Sequence, residues 1–199
     1  YLLNTSEKFE GQELNGIKIK EPRLYYGNNT NTYGVVGGKD MKEYDYPTST
    51  LTNKENVYQG NGGIKLNFLE RIIITLTKGT TDLVFNNKIT DDTRILLNRQ
   101  ITERAKKILP NIRYDKDPYL VVKEDGGLAW VIDGYTITGR YPYSQKVPIE
   151  AEQGGKERIN FIRNSVKVIV DAYNGNIDFY VTDTTDPFIS TIMKTYPTL

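Results

Sequence analysis

Two stretches of this chain follow one pattern. A β-rich run reaches Asp, a small residue and Tyr at Asp133-Gly134-Tyr135 and again at Asp171-Ala172-Tyr173, with a constant spacing of 38 residues. The runs before them, Leu128-Ala129-Trp130-Val131-Ile132 and Val166-Lys167-Val168-Ile169-Val170, are rich in β-branched and aromatic residues, which suit a pleated, half-buried surface. The same spacing aligns Tyr141 with Phe179. After the second copy comes Asn174-Gly175, the pair a two-residue hairpin turn demands, because both turn positions want positive φ. Two copies are too few for a solenoid, which needs about three. The pattern therefore predicts two similar strand-turn-strand hairpins in one mainly antiparallel sheet. A sheet must bury a face, so two or three helices are expected to pack on it, giving an α+β fold.

The remaining residues supply those helices. Residues 1–22 read as an extended lead-in with a short strand at 16–20, and residues 23–110 as a hairpin (23–27 with 33–38), a long loop (39–63) and two helices. In the first helix, at 66–77, Leu66, Leu69, Ile73 and Leu76 share a face and Gly79 is placed to end it. The second, at 91–109, opens on Thr90, Asp91 and Asp92, carries Arg104, Lys106 and Lys107 near its end and stops at Pro110. Its buried stripe should be Leu97, Ile101, Ala105 and Ile108, with Arg94, Arg99, Glu103 and Lys106 in solvent. Residues 111–199 then hold the two hairpins and a short terminal helix at 187–196, opened by Asp186-Pro187. At 199 residues the whole, 1–199, is expected to be a single domain.

Composition excludes more than it assigns. With 26 Lys+Arg against 25 Asp+Glu, the net charge of +1 argues against a nucleic-acid partner. The chain has 0 His and 0 Cys, which removes Ser-His-Asp triads, Cys nucleophiles, disulfides and the commonest transition-metal ligands, so no metal and no cofactor are expected. No aliphatic run exceeds three residues, Ile72-Ile73-Ile74 among them, far short of the roughly 18 residues that span a bilayer, so this stretch is expected to be soluble. It starts at Tyr1 with no basic-then-apolar leader and reads as a piece of something longer. The glycine pairs carry neither the Lys-Ser/Thr ending nor the strand-to-helix spacing of a phosphate loop.

Six residues stand out as candidate binding residues: Asp133, Tyr135, Tyr141, Tyr143, Asp171 and Tyr173. Paired carboxylates can do acid/base work or hold a cation. An Asp at a strand end also accepts hydrogen bonds from the turn that follows, which is the plainer account of Asp133 and Asp171. Asp115-Lys116-Asp117-Pro118 and Asp183-Thr184-Thr185-Asp186-Pro187 lack the ligand order of a calcium loop and read as turns. Tyr135, Tyr141 and Tyr143 with Trp130 could form an aromatic platform, although strand alternation divides such a set between two faces. No catalytic residue is assigned.

Several ordered motifs carry a resemblance. Arg94-Ile95-Leu96, Glu103-Arg104, Tyr114-Asp115, Asp117-Pro118-Tyr119, Trp130-Val131-Ile132-Asp133-Gly134-Tyr135 and Tyr141-Pro142-Tyr143-Ser144 resemble uncharacterised protein family 0182. So do the run Ile159-Asn160-Phe161-Ile162-Arg163-Asn164-Ser165 and, upstream, Leu24-Tyr25-Tyr26-Gly27 and Tyr44-Asp45-Tyr46-Pro47. The resemblance implies bacterial multi-pass membrane proteins with a long extracytoplasmic part, from which this chain would come, on the outer side of the cell membrane. It carries over no reaction, cofactor or catalytic residue. The expectation is thus a non-catalytic extracytoplasmic domain that interacts with envelope components or a neighbouring membrane protein. The rivals are a ligand-binding sensor domain using the Tyr-rich surface and a carboxylate-dependent hydrolase using Asp133 and Asp171.

Overall fold

The computed structural model describes residues 13–14, 17–39, 41–47, 53–79, 82–152 and 154–197. It divides into two units, each built from separate segments. The first takes Tyr1–Gln100, Val122–Leu128 and Asp171–Asn176, and the second Ile101–Val121, Ala129–Val170 and Ile177–Leu199.

The first unit opens with β1 (Glu13–Leu14) antiparallel to β2 (Ile17–Lys18), within the region expected to hold a short strand. Next come β3 (Gly34–Val36), β4 (Glu43–Pro47), β5 (Asn53–Asn56) and β6 (Ile64–Lys65). They are followed by α1 (Phe68–Lys78), α2 (Asp82–Phe85) and β7 (Arg94–Leu96). The hairpin expected between 23–27 and 33–38 does not form. β3 instead pairs antiparallel with β7, which also pairs with β6, while Gly27 bridges Gln100. Tyr25 and Tyr26 spend their N–H groups on the carbonyl of Ala172, at 2.9 and 3.0 Å, so the first expected strand is held by a turn far along the chain. The expected long loop also holds structure, for β4 and β5 pair within it. In β4 Asp45 is buried and Tyr44 exposed, and Arg23 grips Asp45 with Nε and Nη2 at 3.0 and 2.7 Å. A reading of apolar alternation passes over such a strand.

Helix α1 starts and stops as the sequence predicts. Asn67 caps it through Leu69 and Glu70 N–H, and Gly79 ends it at φ +68°. Its expected inward stripe is corrected, since only Leu66, just before the helix, is buried; Leu69, Ile73 and Leu76 lie in solvent and Ile74 points inward. Leu66, Ile74, Leu83, Ile89 and Ile95 form the core of this unit. The expected helix at 91–109 is shorter. Residues 91–92 form a turn, Thr93 is buried, β7 follows, Asn98 takes φ +51°, and α3 (Ile101–Ile108) begins only after it. The β-branched Ile95 between two sheet partners outweighs the helical spacing around it. Ile101 and Ala105 are buried as expected, but Leu109 takes the place foreseen for Ile108.

The second unit is built on a larger sheet. Its strands are β8 (Arg113–Tyr114), β9 (Tyr119–Val122), β10 (Leu128–Thr138), β13 (Phe161–Asp171) and β14 (Ile177–Val181), in the order β14-β13-β10-β8 with β9 also on β10. A separate ribbon pairs β11 (Val147–Glu150) with β12 (Lys156–Ile159), and α4 (Pro187–Thr195) closes the chain. The chain is therefore α+β, with mainly antiparallel sheets and four helices among the described residues. The second predicted hairpin is present, with Val170 opposite Ile177 across Asn174-Gly175. The first is not. β10 runs straight through Asp133-Gly134-Tyr135, whose continuation Thr136-Ile137-Thr138 is β-forming, and the following strand β11 pairs with β12 instead. Gly134 serves packing here, since a Cβ at this position would meet Ile112 Cγ2 at 2.9 Å.

Candidate binding surface

Beyond β10 the chain enters the segment 139–146, where the Asn160 side chain makes three of the hydrogen bonds. Asn160, between β12 and β13, accepts from Tyr141 N–H at 2.9 Å and donates Nδ2 to the carbonyls of Tyr141 and Ser144 at 2.7 and 3.0 Å. Ser144 Oγ returns a bond to the Asn160 carbonyl at 2.9 Å. The turn so fixed carries Tyr143 fully exposed and at φ +59°. A left-handed backbone costs a residue with a Cβ about 1–2 kcal/mol. Such strain persists only where surrounding structure imposes it. Tyr141 in the same turn stacks on Phe161 at 4.8 Å, and Phe161 meets Phe188 edge-on at 5.0 Å. The Arg163 guanidinium lies 5.7 Å from the Phe161 ring, steadied by Asp183 and Thr185 at 3.0 and 2.9 Å. The result is a half-exposed aromatic row and, in the same segment as Tyr141, an outward-facing Tyr143, a side-chain type enriched in binding hot spots.

The other four candidates are accounted for by local bonding. Asp133 sits in mid-strand, so its expected role as a turn cap is corrected. Its Oδ1 accepts from Lys167 Nζ at 2.6 Å and Asn164 Nδ2 at 3.0 Å. The Lys167 ammonium holds this carboxyl below its usual range, and Asp133 in turn raises Lys167. Lys167 also reaches Tyr119 OH at 3.4 Å. Tyr135, on the same strand face, donates to Asp115 Oδ2 at 3.3 Å; burial and then the Asp115 charge push its phenol up.

Asp171 and Tyr173 belong to the first unit. Asp171 does cap its turn, accepting from Tyr173 and Asn174 N–H at 3.0 and 2.7 Å, and it also holds Lys123 at 2.9 Å. Each carboxylate of the suspected pair thus has its own lysine. Tyr173 joins a tyrosine triangle that no sequence motif marks: Tyr25, Tyr58 and Tyr173, with ring centroids 4.6 to 5.1 Å apart. Tyr25 OH donates to Glu43 and accepts from Asn56 Nδ2. Tyr58 OH donates to Asn174 Oδ1 at 3.3 Å and accepts from Gly62 N–H at 2.9 Å. Burial pushes Tyr58 up to about 12 and raises Glu43, whose Oε1 is buried without a hydrogen-bond partner among the described residues. The Gly60-Asn61-Gly62-Gly63 run was the available signal, because a Cβ at Gly62 would strike the Asn174 carbonyl oxygen at 2.2 Å. Among the described residues no cluster of acidic side chains is suited to a metal ion, and no helix is long and apolar enough to cross a membrane.

Comparison with known proteins places the chain. The family model described as uncharacterised protein family UPF0182 matches residues 4–199. A UPF0182 protein of Clostridium novyi strain NT is 44% identical over 184 residues, 92% of this chain and 19% of its own length. One from Clostridium tetani is 44% identical over 183 residues, and one from Clostridium perfringens 42% over 180, covering 92% and 90% of this chain. The chain thus spans about a fifth of the length of these relatives, 19% and 18% for the latter two. No solved structure matches. The length of the match and these identities make the chain a member of the uncharacterised family UPF0182.

Proposed function

We propose that this chain is a non-catalytic interaction domain, the extracytoplasmic part of a bacterial multi-pass membrane protein, and that it holds an envelope or membrane-protein partner through the 139–146 turn. The observation that carries the binding role is Tyr143: fully exposed, at φ +59° and fixed by the bonds of Asn160 to its neighbours. A side chain held there against its backbone preference does nothing for the fold, whereas a rigid aromatic anchor lowers the ordering cost of association. The location rests on the resemblance in sequence and on the relatives' much greater length.

Tyr143→Asn tests the reading, since Asn tolerates the left-handed region and lacks the ring. Immobilised wild-type chain is expected to retain a specific protein from a detergent extract of bacterial envelopes. The Asn variant should lose it, while Tyr180→Asn, at an exposed tyrosine elsewhere, should keep it. Equal retention by wild type and Tyr143→Asn would sink the assignment. Alkaline phosphatase joined to the end of this segment in the whole gene product should be active, and an inactive fusion would place the domain on the inner side.

A further inference from the structure

Helix α1 is built inside out. Phe68, Leu69, Ile73 and Leu76 are 59 to 79% exposed, and with Ile72 they make one apolar stripe along the helix. Phe85, at the end of the neighbouring α2, is 78% exposed. The opposite side carries Ile74 together with polar groups. Arg71 donates to the Leu66 carbonyl at 3.0 Å, while Glu70 Oε2 is buried without a hydrogen-bond partner among the described residues. Contiguous exposed apolar side chains of this kind mark a surface that meets a partner.

We infer that this stripe is the docking face for an apolar segment of the same polypeptide lying outside these 199 residues. The inference rests on reading the chain as one domain of a longer protein. Two observations choose this occupant. The relatives match over only 19% of their length, so a segment tethered to the same chain is present at an effective concentration on the order of millimolar and binds without the entropy cost of bringing two molecules together. The stripe is also one helix face and a single further Phe, far smaller than the roughly 20–30 residues a side of a stable interface between separate chains. A patch this small holds an intramolecular neighbour and not a second copy.

The test places the photo-crosslinker p-benzoylphenylalanine at Leu76 and, separately, at Phe85 in the whole gene product, with Tyr180 as a control site. Both are exposed, so the fold is not asked to accommodate the probe. Expected is an adduct at unchanged molecular mass whose peptides join α1 or α2 to sequence outside this segment, absent from the control. An adduct of doubled mass, an adduct with lipid, one with a separate protein, or no adduct at either site overturns the inference and leaves the Tyr143 reading standing. A gene product that ends with this chain overturns the inference together with the longer-protein reading beneath it, which the molecular mass alone distinguishes.

Discussion

At the scale of single residues, Asp186 shows how a polar side chain can hold a terminus. It is fully buried, caps α4 through Phe188 N–H at 2.8 Å, and accepts hydrogen bonds from Thr136 of β10 and Ser165 of β13. Burial pushes its carboxyl up, but Ser165, Thr136 and the helix N–H groups together hold it below the usual range. The sign follows from a folded-state pKa below the unfolded value of about 4: its contribution is present above that pH and lost as pH falls through the folded value. Asp186→Ala removes a cap and leaves two buried hydroxyls unanswered, so it should cost about 3 kcal/mol in urea unfolding at neutral pH. Asp186→Asn should flatten the acid limb of the stability curve; an unchanged limb would show that another carboxylate governs it. Tyr143→Asn should raise stability by a few tenths to about 1 kcal/mol by relieving the left-handed backbone, and a lower melting temperature would refute the strain. The Asp133–Lys167 pair, with side chains 20% and 39% exposed, is worth less than about 1 kcal/mol in a double-mutant cycle because solvent screens it.

At the scale of elements, the two Asp-x-Tyr copies show what a sequence pattern carries and what it omits. Both runs became strands of one sheet, β10 and β13, because β-branched density is local information. Only the copy ending in Asn174-Gly175 turned back, because turn chemistry is local too and Gly134-Tyr135 lacks it. Gly175 takes φ +75°, and a Cβ there would lie 2.3 Å from the Tyr26 ring. Gly175→Ala combines backbone strain with overpacking and should cost about 3 kcal/mol; a loss below 1 kcal/mol would mean that Tyr26 yields freely. Caps and stops of α1 were legible for the same local reason, whereas its orientation was not. Leu69, Ile73 and Leu76 have the spacing of a buried face, and periodicity reports that a face exists without saying which partner covers it. Among the candidate residues, Tyr141 and Tyr143 were visible as a motif, but the Asn160 bonds that shape their turn span 16 to 19 residues and leave no periodic trace. The triangle Tyr25, Tyr58 and Tyr173 was invisible for a stronger version of that reason, its members lying more than a hundred positions apart at the extreme, as the Tyr58–Asn174 bond with its separation of 116 does.

At the scale of the whole chain, the first unit depends on residues that the sequence supplies late. Its segments 122–128 and 171–176 come after residue 100, although most of the unit lies before it. The Ala172 carbonyl takes the N–H groups of Tyr25 and Tyr26, Tyr173 OH accepts from Gln59 N–H at 3.1 Å, and Asn174 Oδ1 accepts from Asn61 N–H at 3.0 Å. Without those partners, fully buried Tyr26 loses the acceptor of its N–H, and Tyr25 and Tyr58 lose the third ring of their cluster. Each lost hydrogen bond removes about 0.5–1.5 kcal/mol, and each lost aromatic pair about 0.5–1.5 more. Two such bonds and two such pairs, with the cover over Tyr26, are a large part of the whole stability of a small domain, about 5–15 kcal/mol. A fragment of residues 1–100 is therefore expected to be largely unfolded at 25 °C, with fast amide exchange at Tyr25, Tyr26 and Asn61, where the complete chain protects them. Native-like protection in the fragment would show instead that the core of Leu66, Ile74, Leu83, Ile89 and Ile95 sustains the unit alone. The expected result makes this unit a structure that closes only after the chain is made through residue 176, since its last strand-turn residues are also the ones that pin its first tyrosines.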